Sequence, residues 1–206
     1  MSSTSSSLDP TVAYLSAHAE KMRPRKARAT PADAFRAARA MFDQGEPFDM
    51  VALAKRLGVA RATLYRWIGD RERLLSDVIW SVVEDLIEQS RKAPGKGAEA
   101  LANGLVGIMQ GLVNSEGLRA LFRQDPELAM RILTRRRDTH TQERAVEALA
   151  LTIRSLEAHK QYVPRLPADL LAYSIVRLIE GLVYQDMALG LEPKLDDLGR
   201  VIRALL

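Results

Sequence analysis

The chain has 206 residues, with 30 Lys and Arg against 26 Asp and Glu for a formal net charge of +4, and it has no cysteine. That length can bury a sizeable core, while the missing cysteines exclude disulfides and thiolate metal sites and fit a cytoplasmic location. No uncharged apolar run approaches a membrane span, and the opening MSSTSSSLDP carries no signal-peptide core.

Residues 1–29 read as a flexible basic arm. Its first eight residues are Ser-rich, Asp9-Pro10 opens a short helix to about Ala19, and EKMRPRKARA follows, broken by Pro24. Such an arm can lie in a DNA minor groove, with Arg28 as its candidate contact; a merely solubilising tail is the alternative. Thr30-Pro31-Ala32-Asp33 is a helix start, with Thr at N-cap, Pro at N1 and an acid at N3. The helix it opens buries Phe35, Ala38, Met41 and Phe42 and ends before Gly45.

Asp49 caps a second helix, in which Met50, Leu53, Ala54 and Leu57 fall on one face. Gly58 supplies the left-handed stop, and a third helix follows through Leu64 and Ile68. Two short helices around a glycine-containing turn are what a DNA-reading helix-turn-helix requires. The outer face of the third helix presents Arg61, Ala62, Thr63, Tyr65 and Trp67, with Arg66 nearby: hydroxyls and guanidinium groups for phosphates and base edges, and a small residue for close approach. Charge agrees with this placement. Residues 21–75 hold 13 Lys and Arg against six Asp and Glu, whereas residues 76–206 hold 17 against 18, so the positive excess sits where phosphate binding needs it.

Residues 30–80 resemble the DNA-binding module of the TetR family of transcriptional regulators, through the aliphatic-Ala-x-x-x-Gly-Val core and the Thr63-Leu64-Tyr65-x-Trp67 helix. Arg71 stands where members usually carry a lysine, which implies a DNA contact. Two positions depart from the pattern. Asp49 replaces a phosphate-touching Ser or Thr, and Ala60 replaces the usual Ser cap, removing about 0.5–2 kcal/mol of helix support. Leu64-Tyr65-Arg66-Trp67, Gly69, Arg71, Leu74-Leu75 and Trp80 are also similar to the subgroup of QsdR-type regulators, which implies a lactone or acyl effector.

Asp70 caps a fourth helix carrying Leu74, Leu75, Val78, Ile79, Val82, Val83 and Leu86 towards Arg91, and APGKG at 93–97 breaks the chain. Helices are then expected over 98–114, from Ser115 or Glu116 to about Gln124, from Asp125-Pro126 to about Arg136, over Thr141–His159, over 168–189 and over 194–206. No segment alternates like a strand, so the fold is all-α, with about nine to ten helices. A helix-turn-helix domain at 30–75 precedes a larger domain at 76–206 for effector binding and dimerisation.

The helix at 168–189 is apolar around nearly its whole circumference, so it is expected to be buried on all sides, partly by a second copy. Ser174 and Gly181 form a small-residue strip on it. Arg177 and Leu182, with Leu198, Ile202 and Leu205 of the last helix, complete the candidate interface of a homodimer; a central helix of a monomer is the alternative. The family resemblance implies this same use of the last two helices, and an apolar cavity for a small-molecule effector. Trp80, Met109, Met130, Leu133, His140, Tyr173 and Tyr184 are its candidate walls, with ordinary packing as the competing reading of each. His18, His140 and His159 lack companions at metal spacing, so no metal or cofactor is expected. The chain thus reads as a homodimeric repressor, released by its effector from a pseudo-palindromic double-stranded DNA operator. An enzyme, lacking a nucleophile–base pair or paired acids, and a helical interaction module are the alternatives.

Overall fold

The computed structural model describes residues 29–134 and 141–206, which form helices and connections without a strand. The basic arm with Arg28, and His140, lie outside the described residues.

Helix α1 (Pro31–Asp43) opens on a reciprocal cap: the Thr30 hydroxyl accepts from the Asp33 amide at 3.2 Å, and the Asp33 carboxylate accepts from the Thr30 amide at 2.9 Å. Its inward face buries Ala34, Ala38, Met41 and Phe42. Asp49 caps α2 (Met50–Leu57) by accepting from the Val51 and Ala52 amides. Gly58 then takes φ +67°, the left-handed geometry that stops α2 and turns the chain within three residues into α3 (Arg61–Ile68). Ala60 gives α3 no side-chain cap. Asp70, through a 2.8 Å bond from the Arg73 amide, starts α4 (Arg71–Ser90). Helices α1, α2 and α3 pack on one another, and α1 also lies against α4.

The remaining helices are α5 (Ala98–Asn114), α6 (Glu116–Gln124), α7 (Pro126–Thr134), α8 (Thr141–Ala158), α9 (Ala168–Ile179), α10 (Gln185–Ala188) and α11 (Leu195–Leu205). A π-helical turn, Glu180–Tyr184, joins α9 to α10 in one continuous rod. Helix α8 packs along α9, α4 and α11 along α5, and α6 against α1. The last contact is unusually close. A Cβ on Gly117 would stand 2.2 Å from the Phe42 carbonyl oxygen, so only glycine admits it. A single apolar core runs from Ala34 to Ile202, and no helix among the described residues is long and apolar enough to cross a membrane.

Within this chain the 168–189 rod buries Leu171, Ala172, Ile175, Ile179 and Val183 and leaves Leu170, Tyr173, Leu182 and Leu189 exposed, on the side expected to meet a second copy. One expectation needs correction. Leu198 and Ile202 are 0% exposed; α11 packs on α5 and α9, and these two side chains offer no surface to another chain.

Candidate functional site

Leu64, fully buried, anchors α3 from below. The opposite face leaves Arg61, Ala62, Tyr65 and Arg66 exposed, with Tyr65 at 42%. Thr63 is half-buried, and Trp67 packs against the core, so Trp67 supports the helix more than it meets a ligand.

The basic residues of this module divide into two sets. Arg36 pairs with Asp33, Arg39 with Asp43 and Asp85, and Arg56 with Glu46. Arg61, Arg66, Lys55 and Arg73 are exposed and have no ion pair among the described residues. Unneutralised charge therefore concentrates on α3 and the ends of its neighbours, a surface suited to phosphates. Arg71, expected among the DNA contacts, is engaged elsewhere: its Nε donates to the Phe48 carbonyl at 3.0 Å and its Nη1 lies 3.5 Å from Asp125. It clips the start of α4 to the loop before α2 and to the α6–α7 junction.

More such ties follow along α4. Glu72 accepts a forked pair of bonds from Arg131 of α7 at 2.7–3.0 Å, which raises the Arg131 pKa further. Ser76 and Thr141 share a buried hydrogen bond of 2.8 Å. Arg144 of α8 donates to Asp77 at 3.1 Å and lies 5.8 Å over the Trp80 ring. The first half of α4 is thus fastened at each turn to α7 and α8.

Those helices, with α5 and the α9 rod, line a partly open cavity of about 370 Å³. Trp80, Met109, Leu133 and Tyr184 line it; Met130 and Tyr173 do not, and Tyr173 is 40% exposed on the outer face of α9. The middle is aliphatic, with Leu105, Ile108, Leu149 and Val176 on its walls. One end is polar. Gln142 Nε2 donates to Glu180 Oε1, and Arg177 Nη1, from the outer face of α9, donates to Glu180 Oε2. Burial pushes the Glu180 carboxyl above its ordinary value, against the opposing effects of the Gln142 bond and the Arg177 charge. Burial also raises the Tyr184 phenol, helped by the nearby Glu180 charge. Gln142 and Glu180 were missed in the sequence, where neither carries a ligand-binding pattern.

On the outer surface of the rod, Leu170, Tyr173, Ser174, Arg177, Gly181 and Leu182 form one strip, and nothing lies within 4 Å of a Cβ built on Gly181. Leu205 of α11 is half-buried.

Residues 96–206 match the family model described as "Tetracyclin repressor-like, C-terminal domain". Among solved structures, the chain is similar to the R. erythropolis transcriptional repressor QsdR of the TetR family, with 27% identity, 85% of this chain and 93% of that chain covered, and a TM-score of 0.76. It shares the fold of AlkX, a TetR family repressor from Dietzia sp. implicated in biodegradation of n-alkanes, at 22% identity, 85% and 92% coverage and a TM-score of 0.59. No curated protein sequence matches it.

Proposed function

This chain belongs to the tetracyclin-repressor-like (TetR) family, and from that premise we propose that it is a homodimeric transcriptional repressor released from its operator by a small amphipathic effector. One observation carries the reading. On α3 the buried Leu64 holds an outward face where Arg61, Tyr65 and Arg66 stand exposed, the arginines without ion-pair partners among the described residues, while neighbouring arginines are neutralised. Proteins of this family act by binding DNA rather than by catalysis, and such a target fits a cytoplasmic location.

In this reading the module of residues 30–75 enters the major groove with α3, and residues 76–206 bind the effector and a second copy. The strip from Leu170 to Leu182 meets its counterpart across a two-fold axis. Two α3 helices then face the DNA about one turn apart, roughly 34 Å, so the operator is pseudo-palindromic. An effector in the cavity favours one arrangement of α7, α8 and the α9 rod. The ties from these helices to Glu72, Ser76 and Asp77 carry that preference along α4 to α3. A coupling of about 1–3 kcal/mol changes DNA affinity roughly 5–150-fold.

The test is selection of a duplex from a random pool by the purified protein, followed by titration at several salt concentrations. A palindromic consensus, bound with affinity that falls steeply with salt and weakened by Arg61→Ala with the dimer intact, supports the reading. Failure to enrich any sequence overturns it.

A further inference from the structure

The polar end of the cavity contains a group whose chemistry is unfinished. Tyr184 is 9% exposed and lines the cavity, and its hydroxyl has no hydrogen-bond partner among the described residues. No sealed side-chain polar atom among those residues lacks a partner, so this hydroxyl is not sealed, and its residue lines the cavity. The hydroxyls on the wall besides Tyr184 are satisfied within the protein: Ser90 donates to the Ile87 carbonyl, Thr152 to the Ala148 carbonyl, and Thr141 bonds Ser76. A buried donor left over in a largely apolar cavity is a position at which a ligand atom completes a hydrogen bond.

Charge narrows the ligand further. Glu180 stands at the same end, 6% exposed. Both its oxygens are held, by Gln142 and Arg177, and among the described residues no second cation lines that end to receive an anion; Arg91, the cation on the wall among those residues, lies at the far end of α4. A carboxylate head placed beside Tyr184 would meet like charge in a low-dielectric site. We infer that the cavity binds an uncharged, elongated amphiphile: an oxygen head, hydroxyl or carbonyl, that accepts from Tyr184, and an aliphatic body along Leu105, Ile108 and Val176. The volume, about 370 Å³, holds on the order of a dozen water-sized groups at about 30 Å³ each. The proposal rests on the reading of the cavity as an effector site, and it names the class of effector.

The experiment uses full-length protein and four probes of equal chain length: decanol, methyl decanoate, decanoate and decylammonium. Binding is followed by calorimetry and by the fluorescence of Trp80, which lines the cavity. Decanol and methyl decanoate are expected to bind at least tenfold more tightly than decanoate. Tyr184→Phe should weaken both neutral probes roughly two- to tenfold, the worth of one hydrogen bond, while the melting temperature shows that the variant is folded. Glu180→Gln should narrow the gap between decanoate and decanol. Decanoate or decylammonium binding as tightly as decanol overturns the proposal, as does equal affinity of wild type and Tyr184→Phe for the neutral probes. Absence of binding by all four, with a specific duplex still bound, overturns the ligand class and leaves the DNA reader standing. The expected ranking without any effect on DNA binding supports the ligand class and removes the regulatory reading instead.

Discussion

Ser76 in α4 and Thr141 at the start of α8 share a hydrogen bond of 2.8 Å in which both residues are at least 95% buried. Ser76 lies on the helix that carries the reading module, and Thr141 lines the cavity, so one hydroxyl pair connects the two halves of the molecule.

Removing one partner should be costlier than removing both. Ser76→Ala leaves the Thr141 hydroxyl buried without this bond, at about 1–3 kcal/mol, whereas Ser76→Ala with Thr141→Val removes the unsatisfied group. Chemical denaturation of the double-mutant cycle should return a coupling of about 0.5–1.5 kcal/mol. Strict additivity would show that the contact ties nothing together.

Arg61 and Arg71 should separate by phenotype. Arg61→Ala is expected to weaken binding to the selected duplex and to lower the slope of log affinity against log salt by about one, with the melting temperature unchanged. Arg71→Ala loses the Phe48 carbonyl and the Asp125 contact, so its melting temperature should fall while the salt slope stays. The opposite assignment of effects would return Arg71 to the DNA face.

This contrast marks where sequence reasoning stops. The α2–α3 unit was legible because its determinants are local: the cap at Asp49, the stop at Gly58, and an apolar face repeating within eight residues. The partners of Arg71 lie 23 and 54 positions away, and no periodicity encodes them. The stripe of Leu198 and Ile202 was equally plain, but a stripe says only that a helix buries one face, not against which chain. The π-helical turn did leave a trace. Buried positions 171, 175, 179, 183 and 187 recur every four residues, whereas an α-helix of 3.6 residues per turn would carry them off the face by about 40° at each step. A wider turn restores the alignment and brings Glu180 and Tyr184 to the cavity.

Gly117→Ala should loosen the contact of α6 with α1. Its new methyl cannot coexist with the Phe42 carbonyl at 2.2 Å, and the required shift is expected to cost about 1–3 kcal/mol. Hydrogen exchange of α1 amides should rise more than that of α8. Unchanged exchange in both would mean that the backbone there yields without cost.

The pH dependence of stability should change with Glu180→Gln. The Glu180 carboxyl is held above its ordinary 4.5 chiefly by burial, so the folded state favours the proton. Its favourable contribution is complete below pH 4.5 and is lost as pH rises through the elevated folded value. Wild type minus variant stability should therefore decline from acidic to neutral pH. A difference that grows with pH would show that Gln142 and Arg177 outweigh burial.

Leu182→Glu, on the exposed strip, should yield a monomer by sedimentation with the helical signal retained. Leu198→Ala should instead cost about 2–5 kcal/mol of fold stability, as expected for a cavity in the core. A dimer persisting in Leu182→Glu would move the subunit contact off this strip.

The stop at Gly69 limits α3 to eight residues, and that shortness sets how much address the protein can read. At 1.5 Å per residue the helix is about 12 Å long, the rise of about four base pairs at 3.4 Å each. Four positions distinguish at most about 256 sequences and eight about 65,000, few against the roughly 10⁶–10⁹ competing sites of a genome. In the proposed dimer, two copies reading by direct contact would still be lost among chance matches, so on that reading the remaining discrimination comes from the spacing between half-sites and from the stiffness of DNA that neither helix touches.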